Sequence, residues 1–457
     1  MLKLSLLAAG LTAALGACGT DDSEPDATDP TTPTTFKLRI ENVAPWTVLK
    51  SGTQAMKVDG TTGAAGPGAA FEIAFTAGRN QKLSFATMLG QSNDWFFSAG
   101  PAGLSLYNED GNPIAGDITN QVHLYDAGTE IDQEPGVGNA TGPRQSAPDF
   151  GPIDPDPTVR RLAQAVPLTA GGTFTLPPIA AMVRVTLTPG AGGQFVLRIE
   201  NVSTATTLVT SAGASGIGIS PLAWALHTQD SPLFSVGAPD RGQGLEQIAE
   251  AGRVADLGSA LRTLTGAATP VSPGVFAVHA DPEPLYALGL ADLGLGLVPL
   301  AEDGNTTPLF ESIRTSARLM ELSQVGTYDI PVDAAQMGPA RPGDAFELTV
   351  TGTPGEHVSF ASMFGMSNDW FFATRPGGIA LFDAQGVPRR GDVSADIALY
   401  DAGSEIDQEL AIGPDTGPQQ AGPDTGAPDP ITLVRELSTT AYPHPASTHL
   451  RVTLEPM

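Results

Sequence analysis

Most of the chain is present twice, and this internal duplication restricts the fold more than any other feature of the sequence. Residues 92–97 recur unchanged at 367–372, and residues 124–134 recur with one substitution at 399–409. Further matching pairs are residues 36–43 with 195–202, 71–72 with 346–347, 83–88 with 358–363, and 184–187 with 451–454. Matches spread over this length indicate the duplication of a whole domain.

A shorter repeat lies between the two copies of the long block. Residues 220–265 and 272–317 match each other in register, and each contains an extended apolar stretch followed by a short helical segment. We therefore predict a first domain at residues 36–190 and a second at 194–457. The second domain would carry both helix-bearing units, whereas the first would cross the corresponding place through a short Gly-rich link.

The duplicated block favours β-structure. It consists of short alternating apolar and polar runs separated by turn residues, and the chain contains 53 Gly and 40 Pro, which are costly inside helices. The predicted strands include residues 71–75, 82–88, 104–107, 122–125, 159–164 and 182–187. Many short strands with frequent turns predict an all-β fold with minor helix, built from two antiparallel β-sandwich domains, the second with a duplicated helix-bearing insertion.

The N-terminal residues are typical of an exported protein. Lys3 precedes a short apolar run, and the sequence Leu-Gly-Ala-Cys ends at Cys18, which is the only cysteine of the chain. This ending resembles the bacterial lipobox, so residues 1–18 are predicted to be a lipoprotein signal peptide with Cys18 as the lipidated residue; the alternative is a plain signal peptide. Residues 19–35 are acidic and rich in Pro and Thr, which predicts a disordered tether to the cell envelope.

The acidic residues restrict the partners. A formal net charge of −27 disfavours binding to nucleic acid. Asp126 and Glu130 lie four residues apart with Gly128 between them, and a turn at this glycine would bring both carboxylates toward one point. A cluster of oxygen ligands without His or Cys favours Ca²⁺ or Mg²⁺. The alternative is an ordinary Asp-Ala-Gly turn with no metal.

The paired motifs carry a family resemblance. Ser-Asn-Asp-Trp-Phe followed by Tyr-Asp-Ala-Gly-(Thr/Ser)-Glu resembles the spondin N-terminal domain of the F-spondin and mindin matrix proteins and of bacterial exported proteins. The resemblance covers most of residues 36–189 and 195–457, and it implies a C2-like sandwich that holds one Ca²⁺ at a loop end. The ligands that it implies are Asp94, Asp126 and Glu130 in the first copy and Asp369, Asp401 and Glu405 in the second.

The functional expectation follows from this resemblance. We expect a Ca²⁺-binding lipoprotein of the outer membrane or cell surface that mediates adhesion or binds a protein, glycan or anionic lipid through its calcium-end loops. One alternative is a structural envelope protein in which Ca²⁺ only makes the loops rigid. A calcium-assisted extracellular hydrolase is the third option, but no nucleophile motif supports it, so the expectation is that the protein is not an enzyme.

Overall fold

The structure is a computed structural model that describes residues 32–457, except residues 143, 148, 169, 170, 281 and 319. The predicted signal peptide, the lipidated Cys18 and most of the predicted tether therefore lie outside the described residues. The prediction of an all-β fold with minor helix is confirmed, because antiparallel sheets make up most of the regular structure. Within the described part of the chain, no helix is long and apolar enough to cross a membrane.

The first sandwich, formed by residues 50–263, has one large and one small sheet. The large sheet contains strands Lys50–Gln54, Ile219–His227, Lys82–Leu89, Trp95–Ala99, Val122–Asp126 and Arg160–Arg161 in this spatial order, with Leu104–Ser105 beside Lys82–Leu89. The small sheet has the order Ala70–Thr76, Gln194–Asn201, Val183–Pro189 and Gly116–Asp117. Two further strand pairs are Ala165–Pro167 with Thr173–Thr175 and Leu208–Thr210 with Gly213–Ser215.

The second sandwich, formed by residues 34–42 and 271–456, repeats this arrangement. Its large sheet has the order Leu322–Tyr328, Val271–His279, His357–Phe364, Trp370–Thr374, Ile397–Asp401 and Arg435–Glu436, with Ile379–Ala380 beside His357–Phe364. Its small sheet has the order Ala345–Gly352, Thr34–Asn42, Leu450–Pro456 and Gly391–Asp392.

Each large sheet is covered on both faces. Its inner face packs on the small sheet, and its outer face packs on two helices, which are Leu245–Ala251 and Ala255–Thr263 in the first sandwich and Leu297–Asp303 and Thr306–Ser316 in the second. Trp95 and Phe97 enter the inner core while Phe96 enters the helix-side core, as the alternation of a strand requires. The remaining helical elements in the described part of the chain are Ile179–Met182 and the 3₁₀ turns Thr119–Gln121, Ser394–Asp396 and Ala446–Thr448.

The opening strands differ from the predicted domain assignment. Strand Thr34–Asn42, predicted to open the first domain, pairs with Ala345–Gly352 and Leu450–Pro456 of the second sandwich. Strand Gln194–Asn201, predicted to open the second domain, pairs with Ala70–Thr76 and Val183–Pro189 of the first. Residues 190–193 connect Val183–Pro189 to Gln194–Asn201, and such a short hairpin closes at low entropic cost. The corresponding place beside Leu450–Pro456 is filled by the matching strand from the start of the chain.

The helix-bearing units also lie elsewhere than predicted. The unit at residues 220–265 completes the first sandwich, because its strand Ile219–His227 pairs with Lys82–Leu89. The unit at 272–317 completes the second through the pairing of Val271–His279 with His357–Phe364. Each sandwich therefore has one unit. The first sandwich is inserted into the second, between strand Thr34–Asn42 and strand Val271–His279. In the first sandwich the opening strand and the helix-bearing unit follow the shared block along the chain, whereas in the second they precede it, so the two sandwiches are circular permutations of each other.

Candidate metal centres

The large sheet brings two sequence-distant aspartates to one edge in each sandwich. Asp94 immediately precedes strand Trp95–Ala99, and Asp126 ends the neighbouring antiparallel strand, where it pairs with Trp95. Asp369 and Asp401 occupy the same places in the second sandwich, where Asp401 pairs with Trp370. The start of one strand and the end of its antiparallel neighbour share an edge, so both carboxylates of each pair lie where the loops begin.

A glycine turn fixes the second aspartate of each pair. The Gly128 N–H donates to Asp126 Oδ1 at 2.6 Å, and the Gly403 N–H donates to Asp401 Oδ1 at the same distance. Gly128 has φ of +72°, and a Cβ there would lie 2.6 Å from the Thr158 carbonyl oxygen, so both its conformation and its surroundings require glycine. The predicted Asp-Ala-Gly turn therefore orients a carboxylate toward the sheet edge.

Three aspartates converge in each sandwich. The first acidic cluster consists of Asp94, Asp126 and Asp132, whose oxygens lie within 4.8 Å of one another, and the second acidic cluster consists of Asp369, Asp401 and Asp407 at the same spacing. Asp94, Asp126, Asp369 and Asp401 are fully buried. Buried carboxylates at this spacing require protons, a guanidinium group or a metal ion to offset their charge.

The third member of each cluster was missed by sequence reasoning. Asp132 lies in the repeated segment 124–134, and its Oδ1 accepts a 2.5 Å hydrogen bond from Trp95 Nε1. Asp407 accepts the same bond from Trp370 Nε1 at 2.5 Å. Both aspartates belong to the duplicated motif together with a duplicated Trp, and this pairing was the signal that could have identified them.

Glu130 and Glu405, predicted as the third ligands, point elsewhere. Glu130 Oε1 accepts the Gly151 N–H at 2.5 Å, and Glu405 Oε1 accepts the Gly426 N–H at 2.6 Å. Each glutamate therefore faces the loop that follows it in the chain. The structure brings together the predicted Asp94 with Asp126 and Asp369 with Asp401, but neither glutamate joins its acidic cluster.

Backbone donors hold the first aspartate of each cluster. Asp94 Oδ2 accepts the N–H groups of Thr129 and Glu130 at 2.9 and 3.0 Å, and Asp369 Oδ2 accepts those of Ser404 and Glu405 at 2.9 and 3.1 Å. The other oxygen, Asp369 Oδ1, is buried and has no hydrogen-bond partner among the described residues. A buried carboxylate oxygen without a donor is costly, and a cation beside it would remove that cost.

One partly exposed arginine contacts each acidic cluster. Arg160 forms ion pairs with Asp126 Oδ2 and, at 2.5 Å, with Asp154. In the second sandwich, Arg435 pairs with Asp401 Oδ2 and, at 2.6 Å, with Asp429. Each acidic cluster, together with the neighbouring Asp154 or Asp429, therefore has four aspartates and one guanidinium group. This leaves an excess of negative charge when all the carboxylates are ionised.

Burial is the main cause of the pKa shifts of these aspartates. It raises the pKa of Asp94 to about 7, with a smaller contribution from the charge of Asp132. Burial and the neighbouring Asp94 raise the pKa of Asp126 to about 9 despite the opposing effect of Arg160. In the second cluster, burial and the neighbouring Asp369 raise the pKa of Asp401 to about 7. Both clusters therefore retain protons near neutral pH unless a cation displaces them.

The chain has no match among models of known protein families and none among curated protein sequences. The chemistry of the clusters therefore has to follow from their donor atoms. Carboxylate oxygens without His or Cys are suited to hard divalent ions such as Ca²⁺ and Mg²⁺. The fold and these sites define a class, namely a double β-sandwich protein with one buried acidic cluster at the loop edge of each sandwich.

Proposed function

We propose that the protein is a calcium-binding protein of the cell envelope that binds its partner through the loops around the two acidic clusters. The observation that carries the proposal is the convergence of three aspartate carboxylates within 4.8 Å at the same edge of both sandwiches. Ca²⁺ prefers six to eight oxygen ligands and accepts irregular geometry, so three carboxylates with loop carbonyls or water suit it better than they suit Mg²⁺.

The residues fit such an ion. Asp94, Asp126 and Asp132 would hold it in the first sandwich, and Asp369, Asp401 and Asp407 would hold it in the second. The buried Asp369 Oδ1 without a donor supports this assignment directly. A bound divalent cation would offset the repulsion that raises the pKa of Asp401 and Asp126.

The clusters are also placed to control the loops. Asp94 already binds the backbone of Thr129 and Glu130, and Arg160 connects Asp126 to Asp154 in the long loop that follows. An ion at the cluster would order these segments together. Ordered loops at one edge of a rigid sandwich are a usual site for partner binding.

The remaining parts of the proposal rest on the sequence. The resemblance to the spondin N-terminal domain supports adhesion or ligand binding by these loops, with a protein, a glycan or an anionic lipid as the ligand class. The lipobox-like sequence that ends at Cys18 supports attachment to a bacterial membrane by a lipid. The tether would then present both sandwiches away from the membrane surface.

A structural role without a metal is the competing proposal, and one observation favours it. Arg160 and Arg435 already provide a positive charge at each cluster. With some carboxylates protonated, each arginine would suffice as counter-ion, and the clusters would only connect the loops to the sheet. The two proposals differ in their response to Ca²⁺.

Thermal unfolding in chelator and in millimolar Ca²⁺ tests the proposal. A ligand at about 100 times its Kd adds roughly 2.7 kcal/mol per site, and about 1 kcal/mol moves the melting midpoint by roughly 2–4 °C for a domain of this size. We expect the wild-type protein to melt several degrees higher in Ca²⁺ and the Asp126→Asn/Asp401→Asn variant not to respond.

The matched control is Asp117→Asn/Asp392→Asn. These exposed aspartates occupy equivalent places in the two sandwiches, where they accept the N–H groups of Thr119 and Ser394. This control changes the net charge equally and should keep the Ca²⁺ response. A wild-type midpoint that is the same in chelator and in Ca²⁺ would favour the arginine-only role. If Ca²⁺ does raise the midpoint, Ca²⁺-dependent retention on cells, matrix or vesicles would separate a binding protein from a purely structural one.

A further inference from the structure

A second acidic site lies beside the helices of the first sandwich. A cavity of about 460 Å³ opens between the loop at residues 128–157 and the helix Leu245–Ala251. The acidic side chains in its wall are Glu130, Asp149, Asp240, Glu246 and Glu250. None of them belongs to the first acidic cluster, so the cavity is a separate place in the fold.

Three of these carboxylates converge. Asp149, Glu246 and Glu250, here named the helix-side cluster, each offer an oxygen within 4.8 Å of the others. Glu250 is buried, and its two oxygens accept hydrogen bonds of 2.8 Å from the Thr129 hydroxyl and from the Asp149 N–H. The loop and the helix are therefore already connected through Glu250, and this connection fixes the position of Asp149 opposite the helix.

Glu130 provides an independent indication of a ligand. Its side chain is only 2% exposed, yet Oε2 has no hydrogen-bond partner among the described residues. Oε1 accepts the Gly151 N–H, and a Cβ built on Gly151 would overlap Oε2. Both Glu130 and Gly151 line the cavity. Glu130 thus brings a buried carboxylate oxygen without a donor to the wall of the cavity that contains the helix-side cluster.

The second sandwich has the same loop and helix contacts at the corresponding place, but it lacks the third carboxylate. Asp424 donates its N–H to Glu302 Oε2 at 2.9 Å, as Asp149 does to Glu250, and Glu405 takes the place of Glu130. The helix Leu297–Asp303 corresponds to Leu245–Ala251, and Val298 stands where the first sandwich has Glu246. Among the described residues of the second sandwich, no third carboxylate completes the group. Glu405 Oε2 and Glu302 Oε1 are also buried without a hydrogen-bond partner, so the third carboxylate is what distinguishes the helix-side cluster from this place.

We propose that the helix-side cluster binds one hard divalent cation, with Ca²⁺ as the ion class and Asp149, Glu246 and Glu250 as its carboxylate ligands. Glu130 contributes its donor-free oxygen from the cavity wall. The corresponding place in the second sandwich lacks the third carboxylate and should bind the ion more weakly. The bound ion connects the long loop to the helix, so it holds the loop beside the first acidic cluster. Oxygen-only coordination excludes zinc and copper as preferred ions.

The number of Ca²⁺ ions bound per chain tests this site. The Asp126→Asn/Asp401→Asn background removes the two clusters of the proposed function, so any ion bound there with Ca²⁺ alone as probe belongs to another site. We expect that background to bind one ion in equilibrium dialysis and to bind none after Glu246→Val. The reciprocal Val298→Glu change should add one ion. A background that binds none, or that keeps its ion after Glu246→Val, would overturn the proposal.

A second test avoids the Asp126→Asn/Asp401→Asn background, which could fold poorly. It compares the proteolysis of the wild-type protein with that of the single variant Glu246→Val. Arg144 is exposed in the loop at 134–157, and the corresponding loop at 409–430 contains no Lys or Arg, so tryptic cleavage within this loop occurs in the first sandwich alone. We expect Ca²⁺ to slow cleavage after Arg144 in the wild-type protein more than in Glu246→Val. Equal slowing in both proteins would contradict the site, even if the acidic clusters bind Ca²⁺.

Discussion

The two sandwiches carry the same cluster of aspartates, but they surround it differently. In the first, Asp132 is largely buried, and the helix-side cluster adds three more carboxylates nearby. In the second, Asp407 is exposed, and large apolar side chains are exposed in the segments next to the turn at Gly403. These exposed side chains are Leu288, Leu290, Ile431 and Leu433. The carboxylates and the arginine persist in both copies while their surroundings change.

This difference separates two roles at the loop edge. Properties that depend only on the shared aspartates and arginine should be the same in both sandwiches. Properties that depend on the side chains around them should differ between the two. The first sandwich also exposes apolar side chains at this edge, namely Phe150 and Ile153, so the two edges differ chiefly in the carboxylates of the helix-side cluster.

The largest expected effect concerns the exchanged opening strands. Leu38 and Leu197 are fully buried at matching places, where Leu38 pairs with Leu454 and Leu197 pairs with Leu187. Truncating a buried Leu to Ala costs about 2–5 kcal/mol. We expect Leu38→Ala to destabilise the second sandwich and Leu197→Ala the first, as measured by hydrogen exchange of the small sheets. Faster exchange of Ala70–Thr76 in Leu38→Ala would show that the opening strands are not exchanged.

The exchange of the opening strands could not be predicted from the sequence. The repeated opening segments predict two strands, but both fit either small sheet because their apolar faces are the same. The choice depends on the chain connections, since residues 190–193 make a local hairpin that leaves the other place for Thr34–Asn42. A linear alignment of repeats assigns each strand to the block that follows it. In this fold, the hairpin assigns Gln194–Asn201 to the block that precedes it.

The second expected effect concerns the arginines. Arg160 contacts four aspartates within 4 Å, whereas Arg435 contacts two. The cost of Arg160→Gln in chelator should fall between the roughly 0–1 kcal/mol of exposed ion pairs and the roughly 3–5 kcal/mol of buried ones, and it should exceed that of Arg435→Gln. Denaturant unfolding with and without Ca²⁺ measures both. If Ca²⁺ occupies the clusters, it should restore part of the loss in each variant.

The site itself was partly predictable. The four buried aspartates follow from the motif and from the register of neighbouring strands, because a strand start and a strand end share an edge. The direction of Glu130 does not follow, because it depends on the Gly151 N–H, which lies 21 residues away in a loop without periodicity. The contact of Arg160 with Asp126 could not be predicted from the sequence either. It depends on the pairing of strand Arg160–Arg161 with strand Val122–Asp126 across the long loop between them.

The third expected effect is the pH dependence of stability in chelator. The pKa of Asp126 is raised from 3.8 to about 9, and the pKa of Asp401 is raised from 3.8 to about 7. A carboxyl group with a raised pKa binds its proton more tightly in the folded state. Its stabilising contribution is therefore complete below pH 4 and is lost as the pH rises through the folded value.

The first sandwich should accordingly lose stability up to about pH 9, whereas the contribution of the second should level off above about pH 7. Hydrogen exchange at several pH values, corrected for the intrinsic rate, distinguishes the two sandwiches. Millimolar Ca²⁺ should reduce the loss in both, because the ion replaces the protons. Stability that stays constant between pH 6 and pH 9 in chelator would mean that Arg160 and Arg435 keep the carboxylates ionised.

The smallest expected effect concerns the third carboxylate of each acidic cluster. The side chain of Asp132 is 13% exposed, whereas Asp407 is exposed, so a cation contact by Asp407 competes with water to a greater extent. Both accept a hydrogen bond from a Trp indole, which an Asn side-chain oxygen can also accept. We therefore expect Asp132→Asn to weaken Ca²⁺ binding to the first cluster more than Asp407→Asn weakens binding to the second. Titrations in Glu246→Val backgrounds that retain a single acidic cluster measure this difference, because they lack the helix-side cluster, and Glu130→Gln and Glu405→Gln then serve as controls that leave both affinities nearly unchanged. A larger loss from the glutamate variants would instead make Glu130 and Glu405 the third ligands, and it would mean that both side chains turn toward the clusters when the ion binds.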